Sequence, residues 1–210
     1  MSTKGHVIWI EGVMGAGKST LTGALAWRLN YRAIDEPVES NFVLEPFYKD
    51  PEKYGFVMQM HLLMVRYNAQ LAAAAEAIGC LGYDGAIIDR GLPGDRVFAQ
   101  LFLTDIEWRV YEHAYNIMSS SLRPPSLLVY LDVEPEEALR RVQERGRKCE
   151  AGITLSYLED LHKGYDSMLK EIESHKHAWS RGINVLRIPW TQPHLPVDGV
   201  IESVIDALKG

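Results

Sequence analysis

The sequence predicts an α/β protein with a five-stranded parallel sheet flanked by helices. Short apolar runs of four to six residues alternate with helix-length segments, the pattern of a parallel sheet covered on both faces. A glycine-rich loop stands between the first run and the first helix. No internal repeat, low-complexity tract or linker interrupts the 210 residues, so one domain spanning 1–210 is expected.

The elements follow in order. Residues 7–10 form a buried strand that feeds the glycine loop, and a helix starts near Ser19. Residues 32–35 form a second strand, broken at Glu36-Pro37 because proline disfavours helix in the residue before it. Residues 42–53 read as loop and short helix, and residues 54–78 as one long helix rich in Met, Leu and Ala. Three glycines between 79 and 85 turn the chain into the third strand, 86–89. Helices are expected over 95–102 and 105–119, and a fourth strand over 127–132. A helix over 135–145 has an arginine-rich end. Another helix, 156–175, a fifth strand, 184–188, and a closing helix, 198–208, complete the chain.

Composition narrows the function. Hydrophobic residues make up 47% and charged residues 24%, an ordinary globular balance. No apolar run approaches the roughly 20 residues of a membrane helix, and the first residues do not read as a signal peptide. Two cysteines, Cys80 and Cys149, are too few for a disulfide framework and suit the reducing cytoplasm. The net charge of −6 argues against a nucleic-acid polymer as partner. Arginines are nevertheless concentrated in one segment, which suggests a small phosphorylated ligand.

Residues 12–19, GVMGAGKS, match G-x-x-x-x-G-K-[ST] without a gap. Gly12, Gly15, Ala16 and Gly17 form a loop whose N–H groups can turn inward around phosphate oxygens. Lys18 reaches the β- and γ-phosphates, Ser19 offers a hydroxyl to Mg²⁺, and Thr20 follows in the helix whose positive end faces the anion. The loop binds a nucleoside triphosphate and leaves the acceptor open. Two predicted strands bring charged groups to the same end of the sheet, Asp35-Glu36 and Asp89-Arg90.

Further motifs carry a resemblance. EPVE at 36–39, FYKDPEKYGFVMQ at 47–59, DR at 89–90, RVQERGRKCE at 141–150 and YLEDLHKGYDSML at 157–169 are similar to the deoxynucleoside kinase family. That family includes deoxycytidine, deoxyguanosine and deoxyadenosine kinases. The resemblance implies transfer of the γ-phosphate of ATP, with Mg²⁺, to the 5′-hydroxyl of a deoxyribonucleoside. It places the general base at Glu36, consistent with a carboxylate taking the proton of an alcohol nucleophile. It sets Arg90 by the 5′-oxygen and transferred phosphate, and Asp89 at the Mg²⁺ shell, directly or through water. The family usually has Ser after this arginine, whereas Gly91 stands here.

Gln59, Leu62 and Arg66 are spaced i, i+3, i+7 and share a helix face. The resemblance implies that Gln59 bonds the base edge, that Tyr48 contacts the sugar 3′-hydroxyl, and that Arg66 and Asp95 form the pair of cytidine- and purine-preferring members. Such a pair fills the space of a thymine methyl and faces an exocyclic amine, so deoxyadenosine, deoxyguanosine or deoxycytidine is favoured over thymidine. A second acid at the sugar is expected, with Glu112 as a candidate. Asn41 stands where many animal members have a base-packing Trp, and Phe42 is the candidate substitute.

Four arginines fall within residues 140–147, more than capping a helix end requires. They suit a lid over about 141–152 that closes on triphosphate. Arg141, Arg145 and Arg147 are its expected phosphate ligands, and the resemblance sends Glu150 to the nucleoside. It also implies a homodimer built on long helices. Alternatives are a thymidine-preferring deoxynucleoside kinase and a nucleoside monophosphate kinase resembling thymidylate kinase, for which Arg66 and Arg96 would cradle the acceptor phosphate. A slow P-loop switch protein is a rival of another class. His175 and His177 lack the supporting ligands of a metal site, and Met58, Met60 and Met64 read as packing.

Overall fold

The computed structural model describes residues 4–35, 41–147, 150–175, 178–190 and 197–209. Its centre is β1 (His6–Glu11), with β3 (Gly85–Asp89) on one side and β4 (Leu127–Asp132) on the other. β2 (Tyr31–Ile34) and β5 (Asn184–Pro189) form the edges, giving the order β2-β3-β1-β4-β5 with every pairing parallel. The three central strands are almost wholly buried, which explains why they read as continuous apolar runs. The five predicted strands and the α/β class are thus observed.

Helices cover both faces. α1 (Lys18–Leu29) and α8 (Val197–Lys209) pack together on one side. α3 (Pro51–Ala77) lies along β1, β2 and β3 on the other, beside α4 (Leu92–Phe102), and α7 (Leu155–Glu173) packs on α4 and β5. α5 (Asp105–Ser120) packs outside α3 and α4, α2 (Leu44–Lys49) leans on the start of α3, and α6 (Pro135–Arg145) joins β4 to α7. The main core runs from Val204 of α8 through Ile8, Ile10, Ile87 and Val129 to Leu161 and Leu169 of α7. A second cluster, Leu63, Leu92, Ala99, Tyr111 and Tyr115, fastens α3, α4 and α5 together.

Two helix starts differ from the sequence expectation. α3 begins at Pro51 rather than 54, because the Asp50 side chain accepts from Lys53 N at 3.1 Å and Pro51 suits the first turn. α4 begins at Leu92 rather than 95, with Pro93 in its first turn and Gly91 as an extended cap. The Leu-Pro-Gly sequence expected to be loop is therefore helical, and it pulls Asp95 into a buried turn.

α3 is held to the sheet by a polar contact as well as by packing. The indole N–H of Trp9 donates to Gln70 Oε1 at 2.7 Å, and both residues are buried. Gln70→Leu would strand that donor away from water. Thermal and urea unfolding should show a loss of about 1–2 kcal/mol; an unchanged midpoint would mean that the bond contributes nothing.

Candidate active site

β1 ends at Glu11, and the glycine loop turns sharply into α1. Gly15 has φ +78°, and a Cβ there would lie 2.5 Å from the Ala138 carbonyl oxygen. Only glycine lets the loop sit this close to α6. Lys18 folds back over the loop, its Nζ 3.1 Å from the Gly12 carbonyl and 3.0 Å from that of Val13. Ser19 donates to Asp89 Oδ2 at 2.5 Å, joining the loop to the end of β3. A hydroxyl and a carboxylate side by side at a phosphate loop are the oxygen donors that Mg²⁺ takes. The residues present therefore fit that ion.

Arg90 follows Asp89 with φ +73°, an uncommon backbone for a side chain this large. Its N–H donates to Ile10 O at 3.1 Å, and its guanidinium lies 4.2 Å from the centre of the Phe98 ring. The helix face anticipated on α3 is real. Gln59, Leu62 and Arg66 line one cleft with Arg90, and Gln59 and Arg66 are buried. Arg66 pairs with Asp95, which also accepts from the Tyr111 hydroxyl at 2.7 Å. Asp95 thus stands behind Arg66 as its counter-ion.

The cleft measures about 960 Å³. Lys18, Arg66, Arg90, Arg145 and Arg147 line it, with the carboxylates Asp35, Asp89 and Glu150. Tyr48 reaches its wall from α2, and Glu150 approaches from beyond α6, gripped by Arg145 at 2.7 and 2.8 Å. Phe47, Phe98, Phe102 and Tyr157 supply aromatic surface that sequence reasoning did not single out. Glu36, the expected base, lies outside the described residues, as do Cys149 and His177. Asp35, its neighbour in the chain, lines the cleft.

Four expectations change. Glu112 does not line the cleft; it accepts from Arg96 at 3.2 Å on the far side of α4. Arg96 is also held there, by Glu171 at 3.2 Å and the rings of Trp108 and Tyr115. Arg141 turns to the Trp190 carbonyl at 3.0 Å and the Ala16 carbonyl at 3.5 Å, bracing the phosphate loop from behind. Phe42 is 77% exposed and packs edge-on against His61 instead of walling the cleft; Asn41 does line it.

Sequence reasoning missed Glu11. It is fully buried, accepting from Gly91 N at 2.9 Å, Gly94 N at 3.3 Å and the Tyr165 hydroxyl at 3.2 Å. The available signal was an acidic residue closing an otherwise apolar strand. Burial pushes its carboxyl up to about 7, against the pull of Arg90, Lys18, Arg66 and the Tyr165 hydroxyl. The hydroxyls of Tyr115 and Tyr130 also feel its charge.

A cleft with a phosphate loop at one end and a polar, aromatic-walled pocket at the other is built to pass a phosphoryl group between two bound molecules. That defines a P-loop kinase. The deoxynucleoside kinase model matches residues 8–192, and the chain belongs to this family of ATP-dependent phosphotransferases. A deoxyadenosine kinase of Dictyostelium discoideum is 37% identical over 91% of this chain and 75% of its own length. A deoxyguanosine kinase of the same organism is 34% identical over 88% of this chain, which spans 64% of that relative. The solved deoxyadenosine kinase from M. mycoides with bound dCTP superposes with a TM-score of 0.76 at 27% identity, covering 97% of this chain and 98% of that one.

Because folding favours the protonated form of Glu11, its contribution to stability is full below the ordinary carboxylate value of 4.5 and is lost as pH rises through about 7. The difference amounts to about 3 kcal/mol by linkage. Melting curves from about pH 5 to 8 should therefore fall more steeply for the wild type than for Glu11→Gln. Parallel pH profiles would show that Glu11 does not titrate in this range.

Proposed function

We propose that the chain transfers the γ-phosphate of ATP to the 5′-hydroxyl of a deoxyribonucleoside whose base carries an exocyclic amine: deoxyadenosine, deoxyguanosine or deoxycytidine. The observation that carries this choice is the buried Arg66–Asp95 pair beside Gln59. A desolvated ion pair held by a third group cannot rearrange cheaply, so a base that leaves its polar atoms unmatched is rejected strongly. The deoxyadenosine and deoxyguanosine kinases among the relatives support the same choice.

In this reading the triphosphate lies on the glycine loop, with Lys18 and the lid arginines Arg145 and Arg147 at its oxygens. Ser19 and Asp89 would hold Mg²⁺, which supplies charge neutralisation at the phosphates. The base end of the nucleoside meets Gln59 and Arg66, and the sugar 3′-hydroxyl meets Tyr48 and Glu150. Glu36 takes the proton of the 5′-hydroxyl. Arg90 stabilises charge on the transferred group. A monophosphate acceptor fits less well, because Arg96 is committed to Glu112 and Glu171 and Arg66 to Asp95. We read residues 1–210 as one kinase domain working in the cytoplasm, where the exposed thiol of Cys80 remains reduced.

ADP formation with Mg-ATP should be strong with an amino-bearing deoxynucleoside and weak with thymidine or dTMP. Glu36→Gln should lower kcat by about 10²- to 10⁴-fold. Arg66→Met with Asp95→Ala should shift the preference towards thymidine. Turnover of dTMP alone would overturn the nucleoside reading. A wild type already preferring thymidine would overturn the pocket assignment while leaving the chemistry.

A homodimer completes the proposal. Val57, Met64, Leu71 and Ile78 are exposed at seven-residue intervals along α3 or just past its end, and the neighbouring α5 exposes Ile106, Val110 and Ile117. An apolar stripe at that spacing suits a helix of a second copy. Light scattering should give twice the chain mass, falling to one chain in Met64→Glu/Leu71→Glu; a monomeric wild type would refute the dimer.

A further inference from the structure

Burying a carboxylate is costly unless it is well bonded, and Glu11 is buried without lining the cleft. Its bonds lead to one segment. Arg90 N is held by the Ile10 carbonyl, and the next N–H, that of Gly91, by the Glu11 side chain. Consecutive residues of β1 therefore pin consecutive amides on either side of the left-handed Arg90. Such a backbone is strained for a non-glycine residue and persists only where its surroundings over-determine it.

The approach is possible because two positions lack side chains. A Cβ at Gly91 would meet the Trp9 ring at 2.7 Å, and one at Gly94 would stand 2.3 Å from Glu11 Oε2. The same carboxylate also takes the N–H groups at the start of α4, where Gly91 offers no capping side chain. Tyr165 of α7 fixes its second oxygen.

We propose that Glu11 is a positioning residue that acts through Arg90. By holding the amides of Gly91 and Gly94, it keeps the Arg90 backbone left-handed and the guanidinium aimed into the cleft. This rests on the reading of Arg90 as a ligand of the transferred phosphate, and the experiment separates the two.

The test is a cycle of wild type, Glu11→Met, Arg90→Lys and the double variant, assayed with Mg-ATP and the preferred deoxynucleoside. Methionine keeps the length of the side chain and removes both acceptor oxygens. Glu11→Met should lower kcat by about 10- to 100-fold, with KM for ATP changed by less than about 2-fold. The double variant should be no slower than Arg90→Lys alone, and Glu11→Gln, which keeps an acceptor for the amides, should restore most of the rate. Multiplying effects in the double variant, or a Glu11→Gln as slow as Glu11→Met, would overturn the proposal and leave the Arg90 reading standing. A wild-type rate in Arg90→Lys would overturn that reading and the proposal with it. If Glu11→Met fails to fold, Gly94→Ala displaces the carboxylate without altering it and should show the same non-additivity with Arg90→Lys; independent effects there overturn the proposal.

Discussion

Charge held away from water is the constraint on which the cleft end of this molecule depends. A phosphate site needs cations in a sheltered place, and an unpaired buried cation is not tolerated. Lys18, Arg66 and Arg90 are all at least nine-tenths buried. Each has its own partner: the carbonyls of its own loop for Lys18, Asp95 of α4 for Arg66, and the Phe98 face for Arg90. The parallel sheet makes this possible, because the carboxyl ends of β1, β2 and β3 deliver Glu11, Asp35 and Asp89 to one edge.

The two halves of the cleft follow different versions of that rule. At the donor end the glycine loop uses backbone groups, which are fixed by the fold and need no rotamer ordering. At the acceptor end the polar groups are side chains, each fixed by a neighbour behind it: Arg66 by Asp95, and Asp95 by Tyr111. The segment proposed as a lid sits between the two regimes. Arg145 and Arg147 both face Glu150, so its cations are already balanced by an acid on the same segment. In the proposed complex a phosphate at this place would compete with Glu150 for the arginines and leave that carboxylate free to meet a sugar hydroxyl.

The sheet was legible in the sequence because each strand is short and followed by a turn signal, and the three central strands are apolar runs. The phosphate loop and the Gln59–Leu62–Arg66 face were legible because both depend on local spacing. What failed depended on three-dimensional neighbours. Nothing in DRVFAQLF shows that Arg96 points away from the cleft while Asp95 faces α3, since adjacent helix positions differ by only about a third of a turn. Glu112 carries the charge expected at a sugar, but lies on the face of α5 that meets Arg96. Arg141 belongs to an arginine cluster by sequence and to the phosphate loop by contact. Glu11 was hidden for the opposite reason: its partners are amides, which have no residue signature.

Gly91, where the family resemblance leads one to expect Ser, shows how a local departure is absorbed. A side chain at 91 would run into Trp9, and Trp9 is itself fixed by Gln70 of α3. The large indole and the glycine are therefore one choice: the ring fills the volume beside the Arg90 turn, and the turn gives up its capping side chain. The uncapped amides of α4 still need acceptors. β1 supplies one from two residues beyond Trp9, because alternate residues of a strand fall on the same face. Trp9 and Glu11 thus act on α4 together, one excluding a side chain and the other replacing the hydrogen bond it would have made. The Gly91 and Gly94 amides stay satisfied, and the helix start is tied to the strand that carries the phosphate loop.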